Sequence, residues 1–344
     1  MDASAVRALL RVGLVSWAHV HAPGLASILA TLPQVKFAGI FDEEASRGAP
    51  HARELGVPWY PTVEDLLRRC DAVVIASTNA DRRRYTEAAA RAGVHVLAEK
   101  PLATTIEDAA AMIEACRRAG VQLGTAFPVR SSAAVVALRT AIHAGTLGEV
   151  RAARCTNPGK YPGLWFADPL LAGGGAVMDH TVHLADALRW VLDDEPVRVY
   201  AETGNGFHRL ATEDTGIISV DFSRGTFASI DCSWSRPASY PTWGGVTMHV
   251  VGDRATVSVD VFDQALVVHA DSGTRLVEWG DDLTRAMVSD FVDAVRADRP
   301  VPIDGDAGLR ALAVALAAYR SAELREPVPL EAILDSANTE APAA

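Results

Sequence analysis

Residues 11–25 read RVGLVSWAHVHAPGL, a short apolar run that leads into a turn and then into a helical pattern. Dinucleotide-binding proteins carry the glycine pattern G-x-G-x-x-G at such a turn. In this chain Ser16, Ala18 and His21 stand at the three glycine positions. Three interpretations stay open: a nucleotide fold without its cofactor, one that binds the cofactor through other contacts, or a metal site made by His19 and His21.

The alternation of apolar strand runs and helical patterns continues to about residue 125. Parallel sheets covered by helices on both faces produce this pattern. It predicts a Rossmann-type doubly wound domain over residues 1–128. The predicted helices are Pro23–Thr31, Glu44–Leu55, Val63–Arg69, Asp81–Ala92 and Ile106–Ala119.

From residue 129 the pattern changes to stretches in which apolar and polar residues alternate. Several such stretches between residues 197 and 271, separated by turn signals, predict an antiparallel meander. We expect an α/β domain with a large, mainly antiparallel sheet over residues 129–335, and a disordered tail over 336–344. The predicted helices of this domain are Ser132–Ala144, Ala176–Leu192, Asp281–Ala297 and Ala307–Glu323.

The overall composition excludes several classes of function. The net charge of −11, with no basic stripe, argues against a nucleic-acid or anionic-membrane partner. The basic run at residues 82–84 predicts a solvated helix face. No apolar run resembles a signal peptide or is long enough to cross a bilayer, so we expect a cytoplasmic protein. The widely spaced cysteines are predicted to be free buried thiols: Cys70, Cys116, Cys155 and Cys232.

Lysine is rare in this chain: among the 32 basic residues only Lys36, Lys100 and Lys160 are lysines. Arginine stays protonated in proteins, whereas a buried lysine can exchange its proton, so the lysines are candidates for chemistry. Chance suffices to explain Lys36. Lys100 is the strongest candidate, because HVLAEKP places it at the carboxyl end of a strand, where open α/β sheets bind ligands. Pro101 restricts its backbone and could be cis.

Asp42 follows the second predicted strand. A carboxylate at that position accepts hydrogen bonds from a ribose 2′-hydroxyl and repels a 2′-phosphate, which favours NAD over NADP. A helix cap is an equally good interpretation of a strand-end aspartate.

Asp179 and His183 are four residues apart and share one face of a predicted helix. Histidine is a suitable base for a hydroxyl proton, and a lysine ammonium can stabilise the alkoxide that forms. An isolated pair of this kind could also be a surface contact. His180 is predicted to point about 100° away from Asp179.

The long loop of residues 157–175 precedes that helix, and loops of this length tend to be functional. Lys160 could bind a substrate oxygen or carboxylate. Trp165 or Phe166 could stack on a sugar face, or could anchor the loop by burial.

Four segments together resemble the Gfo/Idh/MocA family of glucose–fructose oxidoreductases and inositol dehydrogenases: HVLAEKPLATTIEDAAAMIEA, ASTN, GGGAVMDHTVHLADALRW and ATEDT. The resemblance implies a dinucleotide-binding domain followed by a sheet domain, with oligomerisation through that sheet as a homodimer or homotetramer. It also implies that Lys100 lies near the nicotinamide and a substrate hydroxyl, with Asp179 and His183 facing them.

The implied cofactor contacts include several positions that depart from the family pattern. The glycine turn is replaced, Thr78 stands in place of a proline, and Arg82 stands where the family usually has histidine. These changes affect cofactor contacts more than Lys100, Asp179 or His183. The candidate cofactor-binding residues are Ser16, Trp17, Ala18, His19, Asp42, Ser77, Thr78, Asn79, Glu99 and Lys100, and the candidate substrate-binding residues are Lys160, Trp165 and His180.

The expected function is NAD(H)-dependent hydride transfer to or from a secondary alcohol of a sugar, cyclitol or glycoside, with Lys100 and His183 handling the proton. One alternative is a lyase or glycosidase that holds NAD tightly and oxidises its substrate transiently. Another is a non-catalytic sugar or nucleotide sensor. A zinc hydrolase using His19 and His21 is disfavoured because the later strand ends offer no further histidine, so no metal is expected.

Overall fold

The computed structural model describes residues 8–240, 242–271, 273–278, 280 and 282–335. These residues fold into two compact units. The first unit takes the chain to Ala103 together with Asp108–Ala126 and Thr284–Ala307, and the second takes Thr104–Glu107, Phe127–Leu283 and the chain from Gly308 onwards. The predicted disordered tail, residues 336–344, lies outside the described residues.

Six parallel strands form the sheet of the first unit, in the order β3-β2-β1-β4-β5-β6. The chain winds outward from β1 on one side and from β4 on the other, so the switch point lies between these two strands. This arrangement confirms the predicted Rossmann-type doubly wound sheet. The strands are β1 (Leu10–Val15), β2 (Val35–Phe41), β3 (Trp59–Tyr60), β4 (Ala72–Ile75), β5 (His95–Ala98) and β6 (Leu123–Thr125).

Five helices connect these strands, and their bounds lie within two residues of the predicted ones. Their apolar residues pack on the sheet: Leu25 and Leu29 of the first helix share one buried cluster with Val12 and Leu14 of β1. The third helix begins after Thr62, whose side chain accepts a hydrogen bond from the backbone N–H of Asp65. The helices are α1 (Ala22–Thr31), α2 (Ala45–Glu54), α3 (Val63–Leu67), α4 (Arg82–Arg91) and α5 (Ile106–Ala119).

A seven-stranded sheet forms the core of the second unit, in the order β12-β11-β7-β10-β9-β8-β15. Strands β8, β9 and β10 are antiparallel neighbours, as the predicted meander requires. The predicted meander is wrong beyond β10, because β7 lies parallel to β10 and separates it from β11. The segment between β10 and β11, residues 232–246, is long enough to pass across β7, whereas a meander needs a short hairpin turn. The strands are β7 (Val150–Thr156), β8 (Pro196–Gly204), β9 (Thr215–Phe222), β10 (Phe227–Asp231), β11 (Thr247–Gly252), β12 (Thr256–Asp260) and β15 (Val328–Pro329).

Two further strands, β13 (Ala265–Ala270) and β14 (Gly273–Glu278), pair with each other as a separate antiparallel hairpin. The sequence predicted the first of these strands as part of the meander and did not predict the second. The remaining helices are α6 (Ala133–His143), α7 (Pro169–Ala172), α8 (Ala176–Leu192), α9 (Leu283–Arg296), α10 (Gly305–Leu324) and α11 (Leu330–Leu334). In the described part of the chain, no helix combines the length and the hydropathy needed to span a membrane.

Helix α9 belongs almost entirely to the first unit, although the chain reaches it after the second sheet. Its buried face, with Met287, Val288, Phe291 and Val292, joins the apolar cluster that also contains the residues of α1 and β1. A single boundary after residue 128 therefore differs from the observed division. Sequence order could not reveal this return, because it depends on which apolar surface the amphipathic helix covers.

All four cysteines are buried free thiols, which confirms the prediction. Burial raises the pKa of each of them to about 12. None of the four is therefore a reactive thiolate near neutral pH.

Candidate functional site

The turn between β1 and α1 keeps the backbone conformation of the glycine pattern without its glycines. Ser16 has a φ of +70°, in the left-handed region that favours glycine. Ala18 is buried and adds only one methyl group. Among the described residues, no acidic or capping side chain lies in the first turn of α1, so the positive end of this helix can face an anion. These features fit a bound dinucleotide.

Asp42 organises this turn from the end of β2. Its carboxylate accepts hydrogen bonds from the backbone N–H groups of Trp17, at 2.5 Å, and Glu44, at 2.7 Å, and from Arg47 Nε, at 3.0 Å. The side chain of Asp42 has no exposed surface. Asp42 therefore fixes the turn by accepting backbone N–H groups, a role similar to the helix cap that was the alternative interpretation of this residue.

Glu43 is more accessible than Asp42, with a quarter of its side chain exposed. It accepts hydrogen bonds from Ser16 Oγ, at 3.0 Å, and from Arg47, at 2.7 Å. Sequence reasoning missed Glu43 because the ribose position was assigned to a single aspartate. The signal that could have found it is the run of three acidic residues, 42–44.

His19, His21 and Glu99 come together in the first unit, and one ligand atom from each lies within 4.8 Å of the others. His21 Nδ1 lies 3.0 Å from Glu99 Oε1, and His19 Nδ1 accepts a hydrogen bond from the backbone N–H of His21. Burial lowers the pKa of His19 well below its usual value, and the charges of Arg82 and Lys100 lower it further. Two neighbouring cations and this hydrogen bonding oppose a metal ion, although the three ligand types would suit zinc.

Glu99 is ionised in this cluster. Burial alone would raise the pKa of Glu99, but the interactions with His21, which include a hydrogen bond, and with the Lys100 ammonium outweigh it and hold the pKa well below its usual range. Glu99 Oε2 also accepts a hydrogen bond from the backbone N–H of Lys100. The carboxylate thus fixes the start of the turn that carries the lysine.

Lys100 is buried, with 3% of its surface exposed, and the Lys100–Pro101 peptide bond is cis. Arg82, at the start of α4, is completely buried and donates hydrogen bonds to the backbone oxygens of Pro101 and Ser77. The basic run at residues 82–84 was predicted to be a solvated helix face. Arg83 and Arg84 are exposed, as predicted, whereas the buried Arg82 contradicts the prediction. The guanidinium of Arg82 supplies the hydrogen-bond donor for these two backbone carbonyls, which follow β5 and β4.

The three polar residues after β4 are all buried. Ser77 Oγ donates to the backbone oxygen of Thr78, and Thr78 Oγ1 donates to Asp81 at 2.7 Å. The third, Asn79, is 4% exposed. The backbone N–H of His19 donates to the backbone oxygen of Ala76, so the first turn is held against the end of β4 at the switch point.

In the second unit, Glu213 and Tyr319 hold the first turn of α8. Glu213 Oε1 accepts from the N–H groups of Gly175, at 3.0 Å, and Val177, at 2.9 Å, and from the Tyr319 hydroxyl, at 2.8 Å. A Cβ at Gly175 would lie 2.0 Å from the backbone oxygen of Glu213, which explains that glycine. Burial raises the pKa of Glu213, while the bonds that it accepts lower it. In the sequence, Glu213 stood out only as part of the ATEDT segment, and Tyr319 was not predicted.

Asp179 and His183 both lie on α8. Asp179 is 6% exposed, and its Oδ2 accepts a hydrogen bond from Trp234 Nε1 at 3.2 Å. The same oxygen lies 3.2 Å from His180 Nε2. The prediction that His180 points away from Asp179 is therefore wrong, since its side chain reaches back to the neighbouring carboxylate. His183 is half-buried, and its ring packs edge-on against Phe127.

His180 is itself buried beneath the long loop. A Cβ on Gly159 would lie 2.3 Å from its ring, and Asn157 Nδ2 donates to its backbone oxygen. Lys160 is half-buried, and its backbone N–H donates to the backbone oxygen of Trp243. Trp165 stacks on Phe166 with ring centres 4.1 Å apart. Phe166 is 4% exposed, which matches the loop-anchoring alternative for that residue.

Comparison with known proteins matches both halves of the chain to family profiles. The family profile described as "Oxidoreductase family, NAD-binding Rossmann fold" matches residues 10–127, and the "GFO/IDH/MocA C-terminal domain" matches residues 135–258. The chain is 33% identical over 297 residues to 1,5-anhydro-D-fructose reductase of Ensifer adhaerens, covering 83% of this chain and 89% of that protein. It is 27% identical over 276 residues to myo-inositol 2-dehydrogenase of Thermotoga maritima, covering 77% and 81%.

The crystal structure of GenD2 from gentamicin A biosynthesis, in complex with NAD, has the same fold. It superposes with a TM-score of 0.87 at 24% sequence identity, covering 96% of this chain and 98% of that chain. The profile matches assign the doubly wound sheet to an NAD-binding oxidoreductase domain and most of the mixed seven-stranded sheet to the C-terminal domain that accompanies it. The chain belongs to the Gfo/Idh/MocA oxidoreductase family. It is an NAD(P)-dependent enzyme that acts on CH–OH groups.

Proposed function

We propose that this protein transfers a hydride between NAD and a secondary alcohol of a sugar or cyclitol. The names of its relatives, an anhydrofructose reductase and an inositol dehydrogenase, support this substrate class. The observation that carries the proposal is the burial of Lys100 at the carboxyl edge of the parallel sheet. A lysine kept in such a place, in a chain that otherwise uses arginine, fits a role in chemistry.

Lys100, His183 and Asp179 have different roles towards the substrate. The ammonium of Lys100 stabilises the oxygen as it becomes an alkoxide, and His183 accepts the hydroxyl proton. Asp179, held in place by Trp234, accepts a hydrogen bond from a neighbouring hydroxyl and so orients the ring. Lys160 and Trp165 bind the substrate from the long loop. The bound nicotinamide supplies the acceptor or donor of the hydride.

We further propose that the cofactor is NAD in preference to NADP. Three carboxylates, of Asp42, Glu43 and Glu44, surround the single guanidinium of Arg47 at the end of β2. A 2′-phosphate would approach an excess of negative charge there, whereas a ribose hydroxyl can donate to Glu43. Measured dissociation constants for the two cofactors test this, and tighter binding of NADP would contradict it.

The proposed activity is tested with a panel of sugars and cyclitols, following NADH formation in wild type, Lys100→Ala and Lys36→Ala. Loss of the ammonium is expected to lower kcat/KM at least 100-fold, in line with the loss of a group that stabilises transition-state charge. Lys36 is an exposed lysine on β2, so its variant controls for the loss of positive charge. Full turnover by Lys100→Ala would contradict the assignment, and so would the absence of turnover with every compound.

We also propose a homo-oligomer that forms through the outer face of the second sheet. Ile217 on β9 and Phe227 on β10 are each more than half exposed on that face. Ile217 pairs with Asp231 and Phe227 with Asp221, so the two side chains lie at opposite ends of the paired strands. Each can bury apolar surface against a second copy. Light scattering on wild type and Ile217→Asp tests this, since the variant is expected to dissociate; a monomeric wild type would refute it.

A further inference from the structure

A continuous series of aromatic rings begins at the carboxylate of Asp179. The indole N–H of Trp234 donates to that carboxylate, and the centre of the Tyr161 ring lies 5.2 Å from the Trp234 ring. His208 follows, 5.4 Å from Tyr161, and Phe207 follows at 6.4 Å from His208. We call these four residues, Trp234, Tyr161, His208 and Phe207, the ring series. It runs from a fully buried indole to a phenyl ring that is 57% exposed.

The outer end of the ring series stands on a tightly held loop. The buried carboxylate of Asp214 accepts hydrogen bonds from the backbone N–H groups of Gly206, at 3.0 Å, Phe207, at 2.9 Å, and His208, at 2.6 Å. His208 Nε2 lies 2.9 Å from the backbone oxygen of Trp234. These bonds fix the backbone conformation of the loop, and this conformation leaves the Phe207 side chain exposed.

Holding a phenyl ring in water has a free-energy cost. Burying a phenylalanine side chain is worth about 1.5–3 kcal/mol relative to leaving it exposed. A single exposed apolar residue has no special meaning, but Phe207 continues a series that starts at a proposed substrate-orienting carboxylate. Binding a ligand against the series would recover part of this energy.

The tilts between the rings indicate the kind of ligand. Tyr161 is tilted by 44° to Trp234 and by 37° to His208, and Phe207 is tilted by 48° to His208. A planar nucleobase stacks best on coplanar rings, whereas these rings are tilted to one another. The C–H groups on the puckered face of a pyranose chair can contact aromatic rings of different tilt.

We infer that the ring series is a subsite for a second sugar ring, so that the substrates of this protein are glycosides in which the reacting sugar is linked to another pyranose. This inference rests on the proposed function, because it takes Asp179 as the residue that orients the reacting sugar. The second ring would lie against Tyr161, His208 and Phe207. Free monosaccharides would occupy only the inner part of the site.

The test compares a disaccharide with the free monosaccharide that carries the same reacting ring. Calorimetry measures binding of both sugars to the NADH-loaded enzyme, in which an alcohol has no hydride acceptor, for wild type, Phe207→Ala and the control Phe262→Ala. Phe262 matches Phe207 in residue type and is also exposed, at 45%, but follows β12 of the seven-stranded sheet. Wild type is expected to bind the disaccharide at least tenfold more tightly, and Phe207→Ala to lose about five- to tenfold of that advantage. Monosaccharide binding should stay unchanged in both variants.

Equal affinities for the two sugars in wild type would overturn the inference, and so would equal disaccharide binding by Phe207→Ala and Phe262→Ala. Because binding is measured without turnover, this result is separate from the test of the proposed function. Absence of NADH formation with all sugars would refute the proposed activity, whereas a Phe207-dependent disaccharide affinity would still support the subsite.

Discussion

Replacing Asp214 by asparagine tests how the loop of residues 205–210 is held. The Asp214 carboxylate uses both of its oxygens as acceptors: one receives Gly206 N–H and the Thr215 hydroxyl, and the other receives the N–H groups of Phe207 and His208. An asparagine amide has one acceptor oxygen and one NH₂ group. Whichever way it is turned, at least one backbone N–H then faces another donor.

The magnitude follows from the bonds that change. In the better orientation of the asparagine, the Gly206 N–H loses its acceptor, at a cost of about 1–3 kcal/mol. The bonds to Phe207 and His208 remain but lose the charge of the acceptor, at about 0.5–1 kcal/mol each. We expect a total near 3 kcal/mol. Converted to an opening equilibrium, this corresponds to about 100-fold faster exchange of the amide hydrogens of these loop residues.

The dependence on pH has a defined sign. Burial raises the pKa of Asp214, but the hydrogen bonds from His208, Thr215, Gly206 and Phe207 outweigh it and leave the pKa lowered. The stabilisation is therefore fully present above the ordinary aspartate pKa and is lost as pH falls through the lowered value. The difference between wild type and Asp214→Asn should be complete at pH 7 and should vanish in acid.

Hydrogen exchange followed by mass spectrometry measures the loop directly, and Glu213→Gln is the matched control. Oε1 of the neighbouring Glu213 receives Gly175, Val177 and Tyr319, and glutamine retains an oxygen at that position. Oε2 receives only a second, longer contact from the Gly175 N–H, at 3.2 Å. Exchange at residues 206–208 should therefore stay within threefold of wild type in Glu213→Gln. Protection of these amides in Asp214→Asn to the same degree as in the control would refute the reasoning.

Three further variants test the remaining contacts. In the wild type the N–H of Ala18 donates to Ser16 Oγ, and Ser16→Gly frees this N–H for the cofactor. Calorimetry should show NAD binding tightened about two- to tenfold, and weaker binding would contradict this. Arg82→Met removes the donor to two buried carbonyls, and urea unfolding should show a loss of about 3 kcal/mol together with reduced kcat; unchanged stability would count against it. Trp234→Phe removes the indole donor on Asp179 and should lower kcat about tenfold with stability measured in parallel; unchanged kcat would show that this bond does not orient the carboxylate.

The sequence predicted the elements of the fold well and their long-range pairing poorly. Strong helical periodicity set α5 and α8 with no error in their bounds, because caps and apolar spacing are local signals. The place of β7 between β10 and β11 depends on which strand edge is free once several strands have formed. Single-strand patterns carry no such information, since a strand alternates in the same way beside either neighbour.

The candidate site shows a similar division. Lys100, Asp179 and His183 stood out because their types and spacing suit proton transfer, and the fold places Lys100 at a strand end and the other two on one helix. Glu213, Tyr319 and Trp234 carried no signal of that kind. They form hydrogen bonds with residues that lie 55 to 144 positions away in the sequence, and only folding brings such residues into contact.

The fate of the glycine turn explains why its absence did not predict a lost nucleotide fold. Such a turn needs a left-handed residue and a small volume, and glycine is one way to supply both. At Ser16 the left-handed conformation costs about 1–2 kcal/mol relative to an ordinary backbone conformation. The Ser16 hydroxyl donates to the Glu43 carboxylate, and a hydrogen bond to a charged group is worth about 1.5–3 kcal/mol. The bond offsets the strain, so a serine can hold the conformation when an acidic residue follows the second strand. In this chain the acidic strand end therefore compensates for the missing first glycine of the turn.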